Sequence, residues 1–294
     1  YVKSLEKNEP NGNYEIIIVD NNSKDYSLSI IEEKKGIRVV KLDYNAGFAK
    51  ACNIGAMLSS SKYILFLNPD TRIFYKTISK TIFYLENLKI KNIGIAGIKL
   101  LDKDNTISKT CSRFPTVLSI VSKIFNIDNL YPRFTSSLMI EFNGLNTIIV
   151  DQVIGAFFLV ESDLFKALDG FDERFFVYYE EVDFSFRAMK KGYKSIFISE
   201  YSAFHAGGGC SSIDKPKRLF YNIRSKIIYA KKNYSRIGFL IVSFSSLFIE
   251  PLTRLIDKII KINFGEINEV IIAYTNIYRW IISIFLSNIF RCNK

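Results

Sequence analysis

Cysteine is scarce and scattered in this chain: Cys52, Cys111, Cys210 and Cys292 form no C-x-x-C pair. That spacing indicates neither a zinc site nor a disulfide framework, and a reducing cytoplasm is the simplest setting for it. Histidine occurs once, at His205. The chain opens on Tyr1 with neither a methionine nor a charged-then-apolar leader, so no signal peptide is expected and residues are expected to precede Tyr1. Internal repeats and low-complexity stretches are lacking, and an apolar fraction of 48% excludes disorder of the whole chain. Acidic residues are short in one region only. Residues 215–294 hold 14 Lys and Arg against four Asp and Glu, whereas the first 214 are nearly neutral, 26 against 25. Basicity confined to the tail points to a local anionic partner such as a membrane surface, and away from nucleic acid.

What is present is enough for one large α/β domain, residues 1–214, with a helical appendage over 215–294. The run from Tyr14 to Asp20 is β-branched and ends in an acid, and Asn21 to Asp25 supplies turn and capping residues for a following helix. Ile37–Leu42 and Lys62–Leu67 read as further strands, with Asn45–Ala56 as a loop entering a helix packed through small residues. Thr77–Leu88 reads as a helix and Ile93–Leu101 as extended, while 102–149 has weak periodicity and reads as irregular covering structure. Asp151–Val160 reads as one buried strand, followed by a short helix capped by Ser162. Alternating strands and helices predict a mainly parallel sheet with its crevice at the carboxyl ends of the strands, where Asp20 and Asp70 sit.

The most informative stretch is Gly170–Arg187, GFDERFFVYYEEVDFSFR. Its rings bring apolar surface that must be buried, and burial desolvates the neighbouring acids, which suits a proton acceptor. A helix is expected from Glu180 to Lys191 and a strand from Tyr193 to Ile198, delivering His205 to the glycine-rich loop 206–209. Beyond Pro216 the pattern is basic and aromatic. Ile237–Ile249 carries no charge, and Val270–Phe290 carries only Arg279. A membrane span needs about 20 apolar residues, so the first run is too short and the second is interrupted by Asn276, Arg279 and Ser287. The tail reads as interfacial amphipathic helices, weighed against oligomer or packing helices and a true span.

Six stretches in order, YEIIIVDNNSKD, NAGFAKACNIG, LNPDT, GAFFLV, the acidic–aromatic stretch and HAGGG, resemble the motifs of family 2 inverting glycosyltransferases, nearest to the rhamnosyltransferase-like subgroup. The resemblance covers residues 14–232. It implies a GT-A fold, transfer of a sugar from a nucleotide-diphosphate donor (dTDP- or UDP-sugar, rhamnose among the candidates) to a hydroxyl of a lipid-linked or surface glycan, and Mn2+ or Mg2+ on the diphosphate. Together with the basic, apolar tail, these motifs lead to the expectation of a cytoplasmic enzyme, peripheral at the inner face of the cell membrane. Carried over by position, Glu181 matches the general base, where the family usually has aspartate after a glutamate; Glu180 is its neighbour, and Asp183 is a structural or acceptor-orienting acid. Asp20 matches the base contact and Asn45 with Gly47 the loop at base and ribose, with Asn22, Asn53, Asn68 and Gly155 in the donor motifs. Asp70 matches the last acid of the metal motif and would share the ion with His205. The family's first strand would precede Tyr1. Left open are a homo-oligomer and, as the alternative reading, a catalytically silent nucleotide-binding module of the same fold.

Overall fold

The structure is a computed structural model and describes residues 2–10, 12–26, 28, 36–128, 131, 135–207 and 214–292. The helix expected after Asp25 and Gly208–Gly209 of the glycine-rich loop lie outside these residues. The chain forms two compact units that no single cut separates: Tyr1–Phe114 with Ser137–Gly209, and Pro115–Ser136 with Cys210–Lys294.

In the first unit, helix α1 (Val2–Asn8) precedes the parallel pair β1 (Ile16–Asp20) and β2 (Ile37–Lys41). Helix α2 (Phe48–Met57) leads to β3 (Tyr63–Leu67), the short β4 (Thr71–Ile73), α3 (Thr77–Asn87) and β5 (Ile93–Leu101). After β6 (Cys111–Ser112), β7 (Ile148–Val150), β8 (Gln152–Val153) and β9 (Phe157–Glu161) come α4 (Ser162–Ala167), α5 (Glu180–Lys190) and β10 (Lys194–His205). The central sheet runs β3-β9-β5-β10-β4, with β7 paired to β10. Only β5 and β10 pair in parallel there, and every other pair is antiparallel.

The sheet is therefore mixed, which corrects the mainly parallel expectation. The physical reason is one inserted strand. β3 and β5 point the same way, as the strand–helix–strand alternation requires, but β9 returns from more than fifty residues downstream and pairs antiparallel with both. Its burial on both faces, Phe157 to Val160 all within the core, explains why a continuous apolar run fills the central slot. Two further corrections concern its flanks. Asp151–Val160 is two strands, because the chain turns between Val153 and Phe157. Ser162 opens α4 but does not cap it; its hydroxyl donates to the Ser61 carbonyl, tying the helix start to the strand before it.

β10 is longer than expected and carries His205 as its last residue. Past the expected strand end at Ile198, a register shift between Ile198 and Ser202 lets the strand continue beside β5. Core rings converge under the acidic stretch: Phe66, Phe158, Phe165, Phe171 and Phe184 lie with centroids 4.9 to 6.3 Å apart.

In the second unit, residues expected to be irregular contain helix α6 (Val117–Ile124), closed by a reciprocal cap between Thr116 and Ser119. It packs Ile120 and Ile124 with Ala230 and Val242. The last three of these helices are α7 (Lys215–Asn233), the continuous stretch α8 (Arg236–Phe244), π turn Ser245–Ile249 and α9 (Glu250–Ile260), and α10 (Gly265–Cys292).

Candidate active site

Three clusters of the first unit meet around two backbone positions. At the end of β1, the Asp20 carboxylate accepts from the Ser23 amide at 3.2 Å. The neighbouring Asn21 donates from Nδ2 to the Gly47 carbonyl at 3.1 Å and accepts from the Ala46 amide at 2.7 Å. Asn45 completes the turn by accepting from the Gly47 amide. Gly47 is required here: its φ is +88°, and a Cβ would come within 2.5 Å of the Phe176 carbonyl. That same carbonyl accepts from the Phe48 amide at 2.6 Å, so the loop before α2 is bonded directly to the aromatic stretch.

Asn21 was not among the sequence candidates. Its side chain, and not that of Asn22, latches the loop; Asn22 points to the Asp43 carbonyl at the surface. Consecutive asparagines in a turn are indistinguishable by composition. Asn53 likewise has a different occupation from a donor contact. It is buried, donates to the Phe171 carbonyl and to Glu173 and accepts from the Phe171 amide, pinning the Gly170 turn across 118 residues of sequence.

The second cluster lies past the end of β3. The Asn68 amide and the Thr71 hydroxyl both donate to the Ala156 carbonyl, at 3.2 Å each. β4 then pairs with the end of β10 so that Thr71 faces His205. This register brings His205 Nε2 to 3.3 Å from Asp70 Oδ1. An imidazole and a carboxylate at that separation would both be able to serve one divalent ion, with phosphate oxygens as further donors. Among the described residues no three His, Cys, Asp or Glu converge on one point, so the protein's own donors fit a shared ion and not a closed cage.

The third cluster opens α5. Tyr178 and Tyr179 both have positive φ, +68° and +70°, a conformation costing about 1–3 kcal/mol per residue that persists only where surrounding structure enforces it. The helix starts immediately after them with Glu180, Glu181 and Asp183 in its first turn, where the exposed amides favour negative charge. Glu180 is buried. Burial, and then the charge of Glu181, push its carboxyl well above the ordinary range. Burial also raises Glu181, but the backbone amides of Glu181, Val182 and Gly155 pull the other way. Two adjacent carboxylates in a desolvated place cannot both be charged cheaply. The amides favour charge on Glu181, while burial and the neighbouring carboxylate raise Glu180 further.

Asp183 has a structural occupation. It is wholly buried and pairs with Arg187 at 2.8 Å, one helical turn on. Arg187 in turn donates to the carbonyls of Leu168 and Gly170. This clamp fixes the loop that Asn53 holds from the other side. Gly155 belongs to the acid side of the site through its amide on Glu181, and its neighbour Ala156 belongs to the Asp70 side through its carbonyl. One dipeptide thus separates the candidate base from the candidate metal pair.

A mixed central sheet flanked by helices, with an asparagine–glycine loop beside the end of the separate strand β1 and a carboxylate–imidazole pair past the end of β3, matches the GT-A type glycosyltransferase fold. The mannosyltransferase PcManGT from Pyrobaculum calidifontis, solved with GDP-Man and Mn2+, shares it with a TM-score of 0.51 at 12% identity, over 95% of this chain and 84% of that one. Residues 1–114 match the family described as Glycosyl transferase family 2. The dTDP-rhamnosyl transferase RfbF of Shigella flexneri is 24% identical over 230 residues, 74% of this chain and 71% of that protein. The N-acetylglucosaminyl-diphospho-decaprenol L-rhamnosyltransferase of Mycobacterium tuberculosis is 21% identical over 234 residues, 75% of each. The chain is thus similar to family 2 glycosyltransferases over its first 114 residues and to rhamnosyltransferases over about three quarters of its length.

Proposed function

We propose that the chain transfers a sugar with inversion from a nucleotide-diphosphate donor to a hydroxyl of a lipid-linked or surface glycan, with Glu181 as general base. A dTDP-sugar, with rhamnose as the sugar, is the leading donor because RfbF is named for it, and UDP-sugars are the second choice. The lipid-linked acceptor class follows the name of the mycobacterial relative. The observation that carries the reading is the Gly155–Ala156 dipeptide, with the Glu181 carboxylate on its amide and the Asn68–Thr71 turn on its carbonyl.

In an inverting displacement the acceptor hydroxyl attacks the anomeric carbon opposite the leaving nucleotide diphosphate, so a proton acceptor and a charge-neutralising group must lie on opposite sides of one small volume. Glu181 takes the proton. Its elevated but amide-tempered carboxyl suits removal of a proton from a hydroxyl near neutral pH better than a fully solvated acid. Asp70 and His205 would hold Mn2+ or Mg2+, which supplies neutralisation of the charge developing on the diphosphate. Manganese has the stronger support, from the ion in PcManGT. Asp20, Asn45 and Gly47 form the nucleoside end, with Asn21 holding their loop in shape. Asn22, Asn53 and Asp183 hold the scaffold. The place of work is the cytoplasmic face of a membrane, where lipid-linked acceptors are built.

A thermal-shift screen of nucleotide sugars with Mn2+ tests the donor assignment. The expected result is a rise in melting temperature with dTDP-rhamnose that is weakened by Asp70→Ala, since a ligand bound to the native state stabilises it by mass action. Equal shifts for every nucleotide sugar, unchanged in Asp70→Ala, would refute it.

A further inference from the structure

The second unit presents an apolar stripe that its own core leaves uncovered. Along the continuous helical stretch Arg236–Ile260, Ile237, Leu240, Phe244, Phe248, Leu252 and Ile256 are each more than half exposed and recur every three or four residues. That spacing keeps them on one face of a single rod. The π turn at Ser245–Ile249 does not break the stripe. Pro251 has no amide to give to the Leu247 carbonyl four residues back, and the Tyr278 hydroxyl donates to that carbonyl instead at 2.6 Å. The helix therefore continues across a proline.

The opposite face of the same rod is charged and sealed. Glu250 is buried and pairs with Lys226 of α7 at 2.5 Å, and it also accepts from Arg254 at 2.8 Å. The α10 helix packs one face in the same manner, while Ile271, Ile282 and Phe285 on it are exposed. Its Val270, Tyr274 and Ile277 pack onto Ile223 and Ile227 of α7, a helix with seven Lys and Arg residues. Both Arg236–Ile260 and Gly265–Leu286 are long and apolar enough to cross a bilayer. Crossing would carry Lys226, Glu250, Arg254 and the basic α7 into hydrocarbon, where charged groups are strongly disfavoured.

We infer that the unit is seated in the plane of an anionic lipid surface, with the Ile237–Ile256 stripe immersed and the rod parallel to the membrane. The choice of occupant rests on charge: residues 215–294 carry 14 basic against four acidic residues, and Arg236 and Lys261, next to the two ends of the rod, are exposed. A second copy of the chain would bring the same positive charge against itself. Cations at the headgroups with apolar side chains at the acyl boundary are the pattern of interfacial helices. The inference does not depend on the sugar-transfer reading, since it uses no residue of the first unit.

Sedimentation of the full chain with phosphatidylcholine vesicles, with and without phosphatidylglycerol as the anionic lipid, tests the partner. Binding should require the anionic lipid and weaken as salt is raised. The triple variant Phe244→Ser, Phe248→Ser, Leu252→Ser should lose affinity by roughly 100-fold or more, since the exposed half of each side chain is what lipid would cover, while its thermal melt shifts little because each lies more than half exposed. Unchanged vesicle binding by a folded triple variant overturns the inference, as does a chain that ignores vesicles and forms a dimer dissociated by the same substitutions. An environment-sensitive fluorophore placed in turn by Ile237→Cys, Phe248→Cys and Ile260→Cys reads orientation. Similar shallow depths at all three support the parallel seat, and a depth that rises and falls across the bilayer overturns it.

Discussion

Glu180 and Glu181 divide one task between them. Because burial makes Glu180 bind its proton more tightly in the folded chain than in the unfolded one, stability falls as pH rises from the ordinary glutamate value of 4.5 through the raised one. Glu180→Gln, which mimics the protonated form, should abolish that fall and keep turnover within a few-fold. A calorimetric pH series measures the first and an initial-rate assay the second. With Glu181 as the proposed base, the acid limb of turnover should lie above the ordinary carboxylate range, since burial raises that group as well. Two neighbouring contacts yield stability predictions. Arg187→Ala removes the ion pair to the buried Asp183 and the bonds to the Leu168 and Gly170 carbonyls, and denaturant unfolding should show a loss of about 3–5 kcal/mol. Gly47→Ala forces a Cβ toward the Phe176 carbonyl at a positive φ, and should weaken donor binding in a titration more than it lowers the melting temperature.

At the level of elements, the site depends on how strand ends are joined. The three-residue pairing of β4 with the end of β10 is what sets His205 beside Asp70, and the Thr71 hydroxyl fastens β4 to Ala156. Thr71→Val should cost about 0.5–1.5 kcal/mol for the lost hydrogen bond and raise the manganese concentration needed for half-maximal turnover, measured by metal titration. Sequence shows the strands well because each is a short β-branched or aromatic run bounded by turn residues, and it shows the acidic motif because three carboxylates beside four rings are uncommon. It does not show pairing across distance. The central place of β9, the register shift that extends β10 and the Asn53 clamp on Phe171 all involve partners far apart in the chain. The Asp183–Arg187 pair is different: its spacing of four on a helix that was expected is a visible signal for a structural acid.

Across the whole molecule, the chain returns twice to build its second unit. Pro115–Ser136 leaves the sheet-bearing unit and joins the C-terminal helices, so Ile120 and Ile124 share a core with Ala230 and Val242. Removing residues 237–294 therefore uncovers apolar surface on α6 as well as taking the stripe away. Such a truncation should aggregate, by light scattering, where the exposed-stripe variant stays monodisperse. Point changes on the stripe, not deletion, are the means to detach the protein from lipid without unfolding it.

The account rests most heavily on Glu181 as the proton acceptor. Single-turnover transfer by wild type and Glu181→Gln, with donor binding followed in parallel by calorimetry in Mn2+, tests this directly. Donor affinity unchanged within a few-fold, with the transfer rate reduced by about 10²–10⁴, is the predicted result. Transfer by Glu181→Gln at the wild-type rate would contradict it.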